Sequence, residues 1–139
     1  MKKFLALLAS LMMVLALAGC FLGNSTVTAT VREEGTSVII HITDVSENVS
    51  LLKVMECLQD EGKLTFEADA SGMVTAINGR ENASDWSACW MLYTSDAEMS
   101  NNEWGTVTLS GVEYGSAILG ASALMVEEGE TYIWSYQSF

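Results

Sequence analysis

Residues 26–43 read Thr-Val-Thr-Ala-Thr-Val-Arg-Glu-Glu-Gly-Thr-Ser-Val-Ile-Ile-His-Ile-Thr. Val27, Ala29 and Val31 alternate with Thr26, Thr28 and Thr30. After Glu33-Glu34-Gly35, Val38, Ile40 and Ile42 alternate with Ser37, Ile39, His41 and Thr43. A period of two is the pattern of a half-buried strand, because successive side chains point to opposite faces. Two such runs across a short glycine-containing turn predict a β-hairpin.

Moving toward the C-terminus, the period changes. Ser50 is placed to cap a helix, its hydroxyl accepting from an orphan amide of the first turn. Leu51, Val54, Met55 and Leu58 then share one helical face, and Gly62 supplies a stop. Strand signals return at Leu64–Phe66 and at Met73–Ile77, which runs into the turn Asn78-Gly79. They continue at Ala88–Tyr93, with Cys-Trp-Met-Leu-Tyr at its centre, and at Thr131–Tyr136 after the Glu127–Glu130 turn. Trp104–Leu109 and Tyr114–Leu119 are weaker strand signals. A hairpin, one helix and several strands predict an α+β fold, with a mixed sheet packed on one main α-helix so that each buries the other's apolar side.

Toward the N-terminus, the chain begins Met1-Lys2-Lys3, runs through an almost unbroken apolar stretch from Phe4 to Ala18, and closes on Leu17-Ala18-Gly19-Cys20. This is the layout of a secretory signal peptide over residues 1–19, with small residues at the cleavage point. The cysteine directly after Leu-Ala-Gly makes it the lipoprotein version, in which the Cys20 thiol is acylated. The apolar stretch is shorter than the ~20 residues a membrane-spanning helix needs. Residues 20–25 would then be the lipidated cysteine and a short tether, and residues 26–139 one domain. The expected location is extracytoplasmic, with the membrane as a partner through the lipid anchor.

Loss of Lys2 and Lys3 with the leader leaves four basic residues against 18 acidic ones, a net charge of −14 with His neutral. That balance argues against nucleic acid, whose phosphates are bound by displacing counterions with Lys and Arg. It also argues against adsorption to anionic lipid by charge alone.

Several stretches together resemble a known family. They are Ser50-Leu51-Leu52, Gly72-Met73-Val74-Thr75-Ala76-Ile77-Asn78-Gly79, Trp90-Met91-Leu92-Tyr93, and Val126-Glu127-Glu128-Gly129-Glu130 leading into Trp134-Ser135-Tyr136. In order and spacing they are similar to the bacterial domain of unknown function related to the C-terminal domain of transcobalamin and intrinsic factor, over about residues 26–137. The resemblance implies a β-grasp-like sheet curled around one helix, and suggests a corrinoid as one ligand. Corrinoid binding by the animal proteins belongs to an assembly with a larger helical domain that this sequence does not show. Two departures stand out: Thr94-Ser95-Asp96 replaces the family's Asn-Gly turn, and residues 97–114 form a longer connection than usual.

Chemistry-bearing patterns are few. His41, the single histidine, lies on an alternating strand without a nucleophile motif, so it reads as a strand residue rather than a general base. Catalytic use of acids such as Asp85 or Asp96 would require pairing in a cleft, which their spacing does not suggest; no enzyme, cofactor or metal site is expected. Glu67–Gly72 imitates the start of a calcium loop, yet the twelfth position is Asn78 instead of a bidentate acid. Cys57 and Cys89 admit a disulfide, which export permits, or two separate buried thiols.

Aromatic rings are the remaining lead. Most should be core residues. Trp104 and Tyr114 flank polar, loop-like sequence, a common way to present a ring to a ligand; with Trp90 and Tyr93 they form the candidate binding set. The expected function is a non-catalytic binding module for a small ligand or an envelope protein. The alternative is a structural or interaction protein of the envelope without a small-molecule site.

Overall fold

The alternation over residues 26–43 becomes a hairpin of β2 (Ser25–Glu34) and β3 (Ser37–Val45), turning at Gly35 with φ +59°. The computed structural model that provides this fold describes residues 17–22, 25–46 and 48–139, with side chains from residue 25 onward. Most of the expected signal peptide, and the side chain of Cys20, lie outside the described residues. Leu17–Leu22 runs as a strand, β1, antiparallel to β2 from Leu17↔Thr30 to Leu22↔Ser25. The stretch read as a tether is therefore extended along the sheet edge at Phe21 and Leu22.

Helix α1 spans Leu51–Asp60. The Ser50 hydroxyl accepts from the Lys53 amide at 3.3 Å, as its position before the apolar face requires. Two further first-turn amides are satisfied by the 120–125 loop: Leu51 N–H donates to Leu124 O and Leu52 N–H to Ala121 O. The helix ends where Gly62, at φ +72°, donates to Gln59 O and Lys63 donates to Leu58 O. Its buried face is Leu51, Val54, Met55, Cys57 and Leu58.

The remaining strands are β4 (Phe66–Ala68), β5 (Val74–Ile77), β6 (Arg80–Glu81), β7 (Ala88–Thr94), β8 (Ser100–Leu109), β9 (Val112–Ala117) and β10 (Thr131–Ser138). β4, β5 and β6 make a small separate sheet. The main sheet has the order β1-β2-β3-β10-β7-β9-β8. The fold is α+β with the sheet dominant.

The mixed character expected of the sheet is corrected, since every described strand pairing is antiparallel. The reason is the last strand. β3 and β7, joined through α1, run in the same direction, but β10 inserts between them and pairs antiparallel with both, Ile133 facing Ile39 on one side and Tyr93 on the other.

Both faces of this sheet are apolar at its centre. One packs Val38, Ile40, Ile42, Trp90, Leu92, Tyr132 and Trp134 against α1. The opposite face buries Ile39, Tyr93 and Ile133 beneath Met91, Val107, Leu109 and Tyr114. The last three come from the β8–β9 hairpin. β9 pairs with β7 only at Tyr93↔Ser116 and Thr94↔Gly115. Beyond these pairs the hairpin leaves the sheet and crosses the outer face. At its tip the Ser110 hydroxyl donates to both carboxylate oxygens of Glu34, at 3.1 and 3.2 Å. The long 97–114 connection is this cover.

Tyr132 is fully buried, and its hydroxyl oxygen accepts from the Glu127 amide at 2.8 Å. Burial pushes this phenol up to about 12. The fold holds the neutral form, so this contribution to stability is complete below the unfolded-chain value of about 10. It is lost as pH rises from there toward 12. Tyr132→Phe is expected to cost about 1 kcal/mol near neutral pH by orphaning the Glu127 amide, and to flatten the alkaline fall. Urea unfolding at stepped pH reads both; an unchanged alkaline profile would contradict the placement of this hydroxyl.

Candidate functional site

Strand alternation divides the four candidate rings. Trp90 points toward α1 and is only 9% exposed. Its indole N–H donates to Arg80 O at 2.7 Å, and its ring meets Tyr136 edge-on at 5.2 Å between centroids. Arg80 lies over the Tyr136 ring, 4.4 Å from the centroid, an attractive placement for a cation. Trp90 and Trp134 form the back of a cleft of about 220 Å³, rimmed by Gly72, Met73 and Gly120–Ser122. A Cβ at Gly72 would lie 2.9 Å from Ser122 Cβ, so this glycine lets the two rims close together.

Tyr93 and Tyr114 share the opposite face. Tyr93 is buried with Ile39 and Ile133, and Tyr114 packs over them from the hairpin. Burial raises the Tyr93 phenol above its ordinary value. These two rings fasten the cover to the sheet and present little to a ligand.

Trp104 stands apart. The β8–β9 register jumps from Asn101↔Ser116 to Thr106↔Gly115, so residues 102–105 bulge out of the strand. The bulge has a defined shape. Asn101 Oδ1 accepts from the Glu103 amide at 2.9 Å, Gly105 adopts φ +129°, and the Asn102 side chain lies over Gly115. Trp104 on this bulge is 63% exposed. The four rings thus occupy three places: the α1-side cleft, the hairpin interface and the bulge.

A further cavity of about 480 Å³ is lined by Ser25, Asn48, Val49, Ser50, Lys53, Ser122 and Met125. It opens beside the first residue of β2. Lys53 is paired there with Glu56 at 3.0 Å.

The cysteine pairing is corrected. Cys89 is a free, half-buried thiol with its Sγ 3.6 Å from Met91 Sδ. The sheet separates the two residues: Cys57 belongs to the α1-side core, while Trp90 and Leu92 take that side of β7 and leave Cys89 and Met91 on the other.

Elsewhere the polar groups have structural partners. His41 Nδ1 is 3.0 Å from Thr131 Oγ1 across the β3–β10 pair. In the calcium-like stretch, Asp69 accepts from the Ser71 and Met73 amides and from the Ser71 hydroxyl. These bonds, the Ser71 hydroxyl foremost, hold its carboxyl below the ordinary value. Asp85 is lowered by its bonds to the Ser87 hydroxyl and amide. Among the described residues no group of three His, Cys, Asp or Glu could hold a metal, and no helix is long and apolar enough to cross a membrane.

Trp134, Gly72 and Gly115 are site residues missed by the sequence reading. Gly115 had a signal, because a lone glycine inside a strand marks a bulge or a close approach. A Cβ there would stand 2.1 Å from Asn102 Oδ1 and 3.2 Å from Ser100 Cβ. Gly115→Ala is expected to cost about 1–3 kcal/mol by overpacking. Adding Asn102→Ala should restore most of that stability in urea unfolding, and a single variant as stable as the parent would contradict the bulge geometry. In comparison with known proteins, the chain matches no family model, no curated protein and no solved structure.

Proposed function

We propose that this chain is an exported lipoprotein, acylated at Cys20, whose acidic domain is a non-catalytic binding module at an extracytoplasmic membrane surface. The observation that carries the reading is Leu17-Ala18-Gly19-Cys20 closing a basic-then-apolar leader too short to span a bilayer. The β1 register supports a short attachment. Cleavage before Cys20 removes Leu17–Gly19 and leaves Cys20–Leu22 opposite Ser25–Val27, so the anchor departs directly from the sheet edge. With a net charge of −14 after cleavage, the protein is held by lipid and not by charge. A β-grasp-like arrangement of the transcobalamin C-terminal-like kind is the fold we assign. It is supported by the hairpin preceding α1 and by the packing of α1 on the main sheet.

The binding role is supported by the exposed Trp104 ring on its bulge and by the cleft lined by the buried Trp90 and Trp134. A corrinoid is the ligand suggested by the family resemblance. Titration with cyanocobalamin while following tryptophan fluorescence decides that case: saturable quenching keeps corrinoids as ligands, and its absence removes them.

Mass spectrometry of the protein recovered from membranes should find a chain beginning at Cys20, with a diacylglyceryl thioether on its sulfur. Cys20→Ser should move the protein out of the membrane fraction. An intact Met1, a Cys20 without a fatty chain, or a Cys20 sulfur held in a disulfide would overturn the assignment, because one sulfur cannot carry both bonds.

A further inference from the structure

We propose that the 102–105 bulge of β8 is a carbohydrate-binding platform, on which the Trp104 indole takes the face of an uncharged sugar ring. The inference rests on the binding-module reading and gives it a ligand class. Its first support is that the ring is exposed where the other aromatic side chains of the hairpin and central strands are not. Trp104 is 63% accessible, while Trp90 and Trp134 are at 9% and 5%. An indole left in water forgoes the stabilisation its burial would bring.

The platform is also pre-shaped. Four residues are inserted into a strand that otherwise pairs regularly with β9. They are held by the Asn101–Glu103 bond, by a glycine at a φ closed to other residues, and by the approach of Asn102 to bare Gly115. A bulge interrupts the ladder, and such features concentrate where a side chain must be aimed.

The surrounding chemistry selects the ligand. Neither β8 nor β9 carries a Lys or Arg, and besides Trp104 their exposed residues are Asn102, Glu103, Thr106, Thr108, Val112 and Glu113. Phosphates and acidic glycans find no counter-charge there. A pyranose ring has an apolar C–H face, carrying partial positive charge, that sits against the electron-rich indole face. Its rim of hydroxyls matches amide, hydroxyl and carboxylate groups.

The test uses the full detergent-solubilised protein and the N-acetylglucosamine tetramer, an uncharged oligosaccharide. Saturable tryptophan fluorescence change with a Kd of about 1 mM or tighter is expected. Trp104→Ala should weaken binding at least about tenfold, Trp104→Phe should weaken it less, and Trp86→Ala should leave it unchanged. Trp86 is the proper control, being 57% exposed in a turn after β6. Circular dichroism confirms folding of each variant. Absence of saturable binding, equal binding by Trp104→Ala, or tighter binding of choline than of the sugar would each overturn the proposal. Membrane attachment is read separately by mass, so failure here and failure of the lipoprotein assignment are distinguishable.

Discussion

Adjacent apolar residues at the centre of the sheet govern the rest of the molecule. Ile39 and Ile40 on β3, and Tyr132, Ile133 and Trp134 on β10, point alternately to opposite faces and are all buried. A strand pair apolar on both faces must be covered on both. Helix α1 covers one, and the β8–β9 hairpin covers the other. Burying a side chain such as Ile39 or Ile133 contributes about 1.5–3 kcal/mol, against a total stability of about 5–15 kcal/mol for a domain. Loss of either cover would consume a large part of that total.

This requirement shapes what remains for function. The inward residues of the hairpin, Val107, Leu109 and Tyr114, are committed to the sheet, and the bond from Ser110 to Glu34 fixes the tip at the far side. Only the outward residues and the bulge face solvent. Trp104 is therefore displayed by an element whose other side is anchored, which keeps the ring oriented without packing of its own. On the opposite face, the 120–125 loop both caps α1 and rims the Trp90–Trp134 cleft.

Much of the fold was legible in residue periodicity. Alternation over 26–43 marked the hairpin, and the change of period after Ser50 marked the helix together with its cap. Ile39 and Ile133 were the signals that went unread. Each sits on the face that alternation assigns to solvent, and both fall on the buried side of a second layer. The neighbours of β10 could not be read from local pattern, because its pairing with β3 and β7 joins segments distant in sequence. The same holds for the cysteines: residue type admitted a Cys57–Cys89 bond, and only the parity of β7 with respect to α1 excludes it. Of the candidate rings, Trp104 is marked by the polar sequence around it, whereas Tyr114, marked in the same way, faces inward because it pairs opposite inward-facing Val107.

The cover of the outer face by the hairpin is the claim most directly open to measurement. Nuclear Overhauser contacts should connect the Tyr114 ring with the Ile39, Tyr93 and Ile133 side chains. If Tyr114 instead contacts only its own hairpin, and the Ile39 and Ile133 methyls meet solvent, the hairpin does not lie across the sheet and the display of Trp104 loses its foundation.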